Sequence, residues 1–226
     1  MHEEPPWFAE NLRALEYTTQ DDFNLHVICA PGTAHENINR CFDAATSNRV
    51  VILDDDMQIL DPDPDWLSSV MRILDENQNV GQVTPLEIKE DQSRRLYLAD
   101  KDAVLGIKAP PNFYAPWLPG YMMVFDMERT PDIRADEGIP FPTGMSDLDL
   151  SLQVRYAGYD CMACTSFAVW HPWKTDEETT LRCTKERDDA QFQFMLKKWG
   201  RFYVDSARVQ LGMLLRVFPD ELENQT

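Results

Sequence analysis

The run RVVIL at 49–53, followed at once by Asp54, Asp55 and Asp56, limits this chain more than any other feature. A short apolar run bounded by turn residues suits a strand buried on both faces, as in a parallel sheet covered by helices. Similar runs recur as FNLHVICA (23–30), VGQVTPL (80–86), YMMVFDM (121–127) and DCMACTSFAVWH (160–171), and each is read as a strand. Helical spacing falls between them. Phe8, Leu12 and Leu15 share one side of 7–18, and 35–46 continues as a second helix. Asp65 precedes WLSSVMRILDEN as a cap, with Leu67, Val70, Met71 and Leu74 on one side. A helix over 147–156 is closed by Gly158 in the C′ position. Further helices fill about 185–218, the first ended by Gly200. Helices alternating with short apolar strands predict an α/β layered domain. Residues 87–119 are polar and proline-punctuated, and are expected to form a hairpin and a long loop. No repeat or linker interrupts the pattern, so residues 1–226 are read as one domain.

Composition closes off several classes. With 43% hydrophobic and 11% aromatic residues the chain can bury a substantial core, which excludes a disordered protein. No apolar run reaches the length of a membrane span, and MHEEPPWF has no signal-peptide pattern, so a soluble, cytoplasmic protein is expected. The formal net charge of −18 argues against a broad nucleic-acid or anionic-membrane surface. Cys29, Cys41, Cys161, Cys164 and Cys183 lack the spacing of a disulfide framework. Cys161-Met-Ala-Cys164 has no second pair and lies in a strand-like run, so buried thiols are expected rather than zinc or redox chemistry.

The acids at the ends of apolar runs invite another explanation. Adjacent carboxylates repel one another unless a positive charge sits among them. Asp54–Asp56 is either a solvated turn after a strand or a pair of ligands, Asp54 and Asp56, for a cation that holds a phosphate. Alternate residues of an extended chain point the same way, so those two share a side. Asp147 and Asp149 open a helix, where acids complement the macrodipole; alternatively one of them faces a cleft as a general base. His171, in FAVWHPW, is either a packed core residue or a third protein ligand for manganese.

Taken in order, these segments resemble the GT-A-type nucleotide-sugar glycosyltransferases, in particular the inverting family two, over about residues 35–200. Asn39 with CFDAAT and VVILDDDM resembles the helix and strand that lead to the family's metal-binding D-x-D motif. LPGYMMVFDMER resembles its acceptor-side strand, SDLDLSLQVRYAGYDC its E-D-x-D-L segment, WHPW its late histidine and LKKWG a C-terminal signature. The resemblance implies a single Rossmann-like mixed sheet flanked by helices, whose first nucleotide-binding strand is missing here. It implies that Asp54, Asp56 and His171 hold Mn2+ or Mg2+. Asp54, Asp55, Asp56 and Asn39 would then meet a nucleotide-sugar donor, a UDP-sugar before others. Asp147 becomes the base, with Asp149 a second candidate or an orienter, and Trp117 and Gly120 line the acceptor cleft.

The implied activity is metal-dependent transfer of a sugar to an acceptor hydroxyl with inversion. The acceptor would be a saccharide, a protein, a lipid-linked sugar or a modified nucleobase. Two departures stand out: Ala30-Pro31 replaces an expected aspartate, and Ser146 replaces the glutamate of the E-D pair. A missing first strand leaves a sheet edge that an oligomer or a partner would cover. Two rival readings remain. One is a degenerate transferase-like protein that binds a sugar or partner without turnover. The other is a haloacid-dehalogenase-like phosphatase, whose aspartate motif asks for Thr or Val where Gln58 stands.

Overall fold

The computed structural model describes residues 22–55, 57–60, 66–88, 112–170 and 184–217, together with Ala9, Leu12, Arg13 and Leu15. Its strands are β1 (Arg49–Leu53), β2 (Gln58–Leu60), β3 (Val80–Ile88), β4 (Phe113–Ala115), β5 (Met122–Asp126) and β6 (Asp160–Trp170). Its helices are α1 (Ala34–Ala44), α2 (Trp66–Glu76), α3 (Ser146–Tyr156), α4 (Lys185–Trp199) and α5 (Arg201–Val217). The strands form one mixed sheet in the order β1-β5-β3-β6-β2, with β4 added along β6. Only β3 and β6 run parallel; β1 and β2 pair antiparallel with β5 and β6.

Strand parity sorts the sheet's side chains into two layers. Val50, Ile52, Met123 and Phe125 point to the face covered by Phe42 of α1 and by Leu150 and Val154 of α3. Met122 and Val124 point to the other face, under Trp66, Leu67, Val70 and Leu74 of α2. Every residue of β5 is buried, because it lies inside the sheet with helices on both sides. α3 is covered from two sides. Leu150 and Val154 meet the sheet, while Leu148 and Leu152 pack with Met195 of α4 and Tyr203 of α5. Gly200, at φ 54°, ends α4, and its N–H donates to Leu196 O at 2.8 Å.

Several expectations are corrected here. Residues 22–30 are not a strand: they carry no ladder, because no described strand lies beside them to complete one. β1 is antiparallel to its neighbour, and its burial alternates instead of being complete on both faces. The cause is position: among the described residues β1 is a terminal strand of the sheet, so Val51 and Leu53 are only partly covered. Asp65, Cys183 and 89–111, including most of the expected hairpin and loop, lie outside the described residues. The thiols at 161 and 164 are both buried. Three positions apart on a strand, they enter opposite layers and so cannot form a two-cysteine site. Burial pushes the Cys161 thiol up to about 12. Among the described residues no helix is long and apolar enough to cross a membrane.

An ion cluster ties the strand ends together. Asp126, at the end of β5, is 2% exposed and meets Arg49 of β1 at 3.1 Å and Arg129 at 2.9 Å. Arg129 also donates to Leu74 O, Asn77 O and Val80 O, and so closes the C-terminal end of α2 against the start of β3. Removing one partner from a buried pair leaves a charge uncompensated. Asp126→Asn is expected to cost about 3 kcal/mol, read from urea unfolding, with both arginines left facing a neutral amide.

Candidate functional site

The two acid clusters are joined through the residues that lead into β5. The register ends with Leu53 opposite Met122, and the Asp54 N–H then donates to Tyr121 O at 3.1 Å. Gly120 precedes that residue. A Cβ placed on it would lie 3.1 Å from Asp147 Cβ, a tight contact that would push the two apart by a few tenths of an ångström. Asp54, Tyr121, Gly120 and Asp147 therefore form a continuous path from the end of β1 to the start of α3. Ser151 locks the same corner: its hydroxyl accepts from Leu118 N–H at 3.1 Å and donates to Asp147 O at 2.8 Å. The Tyr121 hydroxyl donates to Pro85 O at 2.7 Å, tying the lead-in of β5 to β3.

Asp147 and Asp149 have opposite surroundings, as two residues 200° apart on a helix must. Asp147 is half-buried beside Gly120, and its Oδ1 accepts from Leu148 N–H at 2.9 Å. Asp149 has no exposed surface. Lys198 Nζ lies 2.8–2.9 Å from its two oxygens, Trp199 Nε1 donates at 2.7 Å and Gln153 Nε2 at 2.8 Å. Lys198 also reaches Asp136 at 2.7 Å. Burial works against the charge on Asp136, but Lys198 and the Gly138 N–H outweigh it and hold that carboxyl below its ordinary range. The LKKWG segment thus seats α3 on the end of α4, a role its sequence gave no sign of.

Asp54 and Asp55 are exposed at one end of a cavity of about 640 Å³. All of 49–53 lines it, both faces alike, so it follows the outer edge of β1. Residues 22–28 form the opposite wall, and Cys41 of α1 and Trp66 of α2 border it above and below. Burial and, after it, the charge of Asp54 push the Cys41 thiol up, which marks the carboxylate's field along this wall.

The remaining expected residues fall as follows. Trp117 is partly buried with its ring 6.3 Å from that of Tyr203, at the same corner as Leu118 and Gly120. Asn39 points its amide elsewhere: it donates to Ala135 O and Glu137 Oε1 and accepts from Ala135 N–H, bracing α1 against that loop. Asp56 and His171 lie outside the described residues. The backbone register pairs Trp170, the last residue of β6, with Gln58, four positions beyond Asp54. Among the described residues no group of three or more His, Cys, Asp or Glu gathers as a metal site. The described member of the expected metal set, Asp54, offers a hard carboxylate oxygen of the kind that Mg2+ and Mn2+ take. Sequence reasoning missed Lys198, Trp199, Gln153 and Ser151, whose roles depend on contacts between distant segments.

No protein-family model and no curated protein matches the chain. Among solved structures it is similar to the mannosyltransferase PcManGT from Pyrobaculum calidifontis in complex with GDP-Man and Mn2+. That likeness has a TM-score of 0.55 at 15% identity and covers 96% of this chain and 73% of the other. It shows the fold: a mixed α/β sheet flanked by helices, similar to that of this mannosyltransferase.

Truncating Asp149 tests the seat of α3. Asp149→Ala strips Lys198 and the Trp199 indole of a shared buried acceptor, and is expected to cost about 3–5 kcal/mol in urea unfolding followed by circular dichroism.

Proposed function

We propose that the chain transfers a sugar from a nucleotide-sugar donor to an acceptor hydroxyl, with inversion, as an enzyme resembling the family-two GT-A transferases. The observation that supports this reading is the path from Asp54 through Tyr121 and Gly120 to Asp147, which links the acid read as donor-side to the acid read as acceptor-side. The fold shared with a protein solved with GDP-Man and Mn2+ supports it.

In this reading the donor occupies the cavity along β1, whose volume of about 640 Å³ falls in the range of small-molecule sites. Asp54 and Asp56, with His171, would hold a divalent cation, and Asp55 would approach the donor's sugar or ribose. Such a cation, when bound, neutralises charge on the diphosphate. Asp147 is the base, because Asp149 is saturated by Lys198, Trp199 and Gln153 and has no surface to offer a hydroxyl. The Asp147 carboxylate takes the acceptor hydroxyl's proton, and the acceptor oxygen attacks the anomeric carbon from the face opposite the diphosphate. The carbon–oxygen bond to the diphosphate breaks and its electron pair leaves with that group. Trp117 and Gly120 border the acceptor, the first with an aromatic face, the second with room for close approach. Asn39 acts at a distance, as a brace for α1.

Two experiments test this. GDP-mannose and UDP-sugars are incubated with Mn2+ and hydrolysis is followed. Asp54→Ala combined with Asp56→Ala is expected to lower turnover by about 10²–10³-fold or more. Absence of donor binding by calorimetry with Mn2+ present would instead favour the degenerate reading, a transferase-like protein that takes a sugar or a partner but not a nucleotide-sugar donor. Asp147→Asn is expected to lower transfer by about 10²–10⁴-fold while donor binding is kept. Loss of donor binding in that variant would show that Asp147 belongs to the donor side.

A further inference from the structure

The backbone leading into α3 is held in an uncommon state. Phe141 (φ 73°), Gly144 (φ 95°) and Met145 (φ 61°) all adopt left-handed angles, and Phe141 and Met145 are the two non-glycine residues to do so among those described. For a bulky aromatic this is an outlier that persists only where the surroundings over-determine it. Met145 gives α3 no side-chain cap, so the helix start is set by contacts from elsewhere.

Those contacts come from three places. Ala34 N–H, at the start of α1, donates to Pro142 O at 2.8 Å. Gln191 Nε2, from α4, donates to Pro140 O at 3.0 Å and to Thr143 O at 2.7 Å. His35, with no exposed surface, uses both ring nitrogens: Nε2 lies 3.1 Å from Phe141 O and Nδ1 lies 2.5 Å from Ser146 Oγ. A carbonyl only accepts, so Nε2 carries the proton; in the neutral ring Nδ1 then accepts from the Ser146 hydroxyl. One imidazole thereby joins the first residue of the left-handed stretch to the first residue of α3, directly before Asp147.

We propose that His35 is a positioning residue for Asp147. Its two bonds close the 141–146 turn, fix where α3 begins and so hold the Asp147 carboxylate against Gly120. His35 touches no substrate itself, since it is wholly buried. The proposal rests on Asp147 as the base and is tested so that the two can fail separately. His35→Phe, His35→Gln and Ser146→Ala are compared with the wild type by residue-resolved amide hydrogen exchange and by turnover of GDP-mannose with Mn2+.

In His35→Phe, exchange at 145–149 is expected to rise about tenfold or more while β3 and β5 are unchanged. The same variant is expected to lose about tenfold in kcat with KM for GDP-mannose within about twofold. His35→Gln, which retains an N–H for the Phe141 carbonyl, should recover part of both. Ser146→Ala, which spares the imidazole, should shift in the same direction. Unchanged exchange at 145–149, or an equal rise across β3 and β5, would overturn the proposal, as would parallel changes in kcat and KM. A wild type without turnover sinks the transferase reading alone, and the exchange pattern still decides the role of His35.

Discussion

Asp149 governs this structure from a position that solvent does not reach. A buried carboxylate is tolerated only when donors surround it, and here Lys198, Trp199 and Gln153 supply them. Because Lys198 and Trp199 end α4, their contact fixes both the depth and the rotation of α3. Helical geometry does the rest: with residue 149 turned inward, residue 147 must face the opposite side. It meets Gly120 there, at a separation that a Cβ at position 120 would crowd. An acid that serves packing thus sets the direction of the acid two positions before it.

The sheet contributes the second half of the arrangement. Antiparallel pairing of β1 with β5 means that β1 ends where β5 begins, so Asp54 and Tyr121 are neighbours through a backbone bond. A parallel pairing would have put the two acid clusters at the ends of different connections. The same topology leaves β1 at the margin of the described sheet, facing 22–28 across the cavity. A margin of this kind exposes backbone donors and acceptors, which suits the close approach of a polar ligand.

Much of the layered pattern was readable beforehand, and for local reasons. VGQVTPL and YMMVFDM became β3 and β5 because continuous apolar runs of that length need cover on both faces. LSSVMRIL became α2, with Leu67, Val70 and Leu74 buried as their spacing required. The 23–30 run has the same local character as those strands, yet carries no ladder, since a strand exists only with a partner. At the candidate site, Asp54, Asp147 and Gly120, which the fold links in one path, could be singled out because acids at the ends of apolar runs and a glycine before one stand out. His35 was not. Its partners lie 106 and 111 positions away, and nothing about a histidine in the first turn of a helix announces them.

The sequence by itself determined the segments that became α1 to α5 and the apolar runs that became β1, β3, β5 and β6, and which carboxylates lie where such segments end. Periodicity and turn chemistry are local properties, carried by neighbours in the chain. Only the tertiary structure decided that β1 runs antiparallel to β5, that Asp149 is sealed by α4 while Asp147 is left beside Gly120, and that one imidazole closes the turn before them. Each of those outcomes depends on burial and on hydrogen bonds between segments far apart in the chain. Their free energy exists only once the layers have packed.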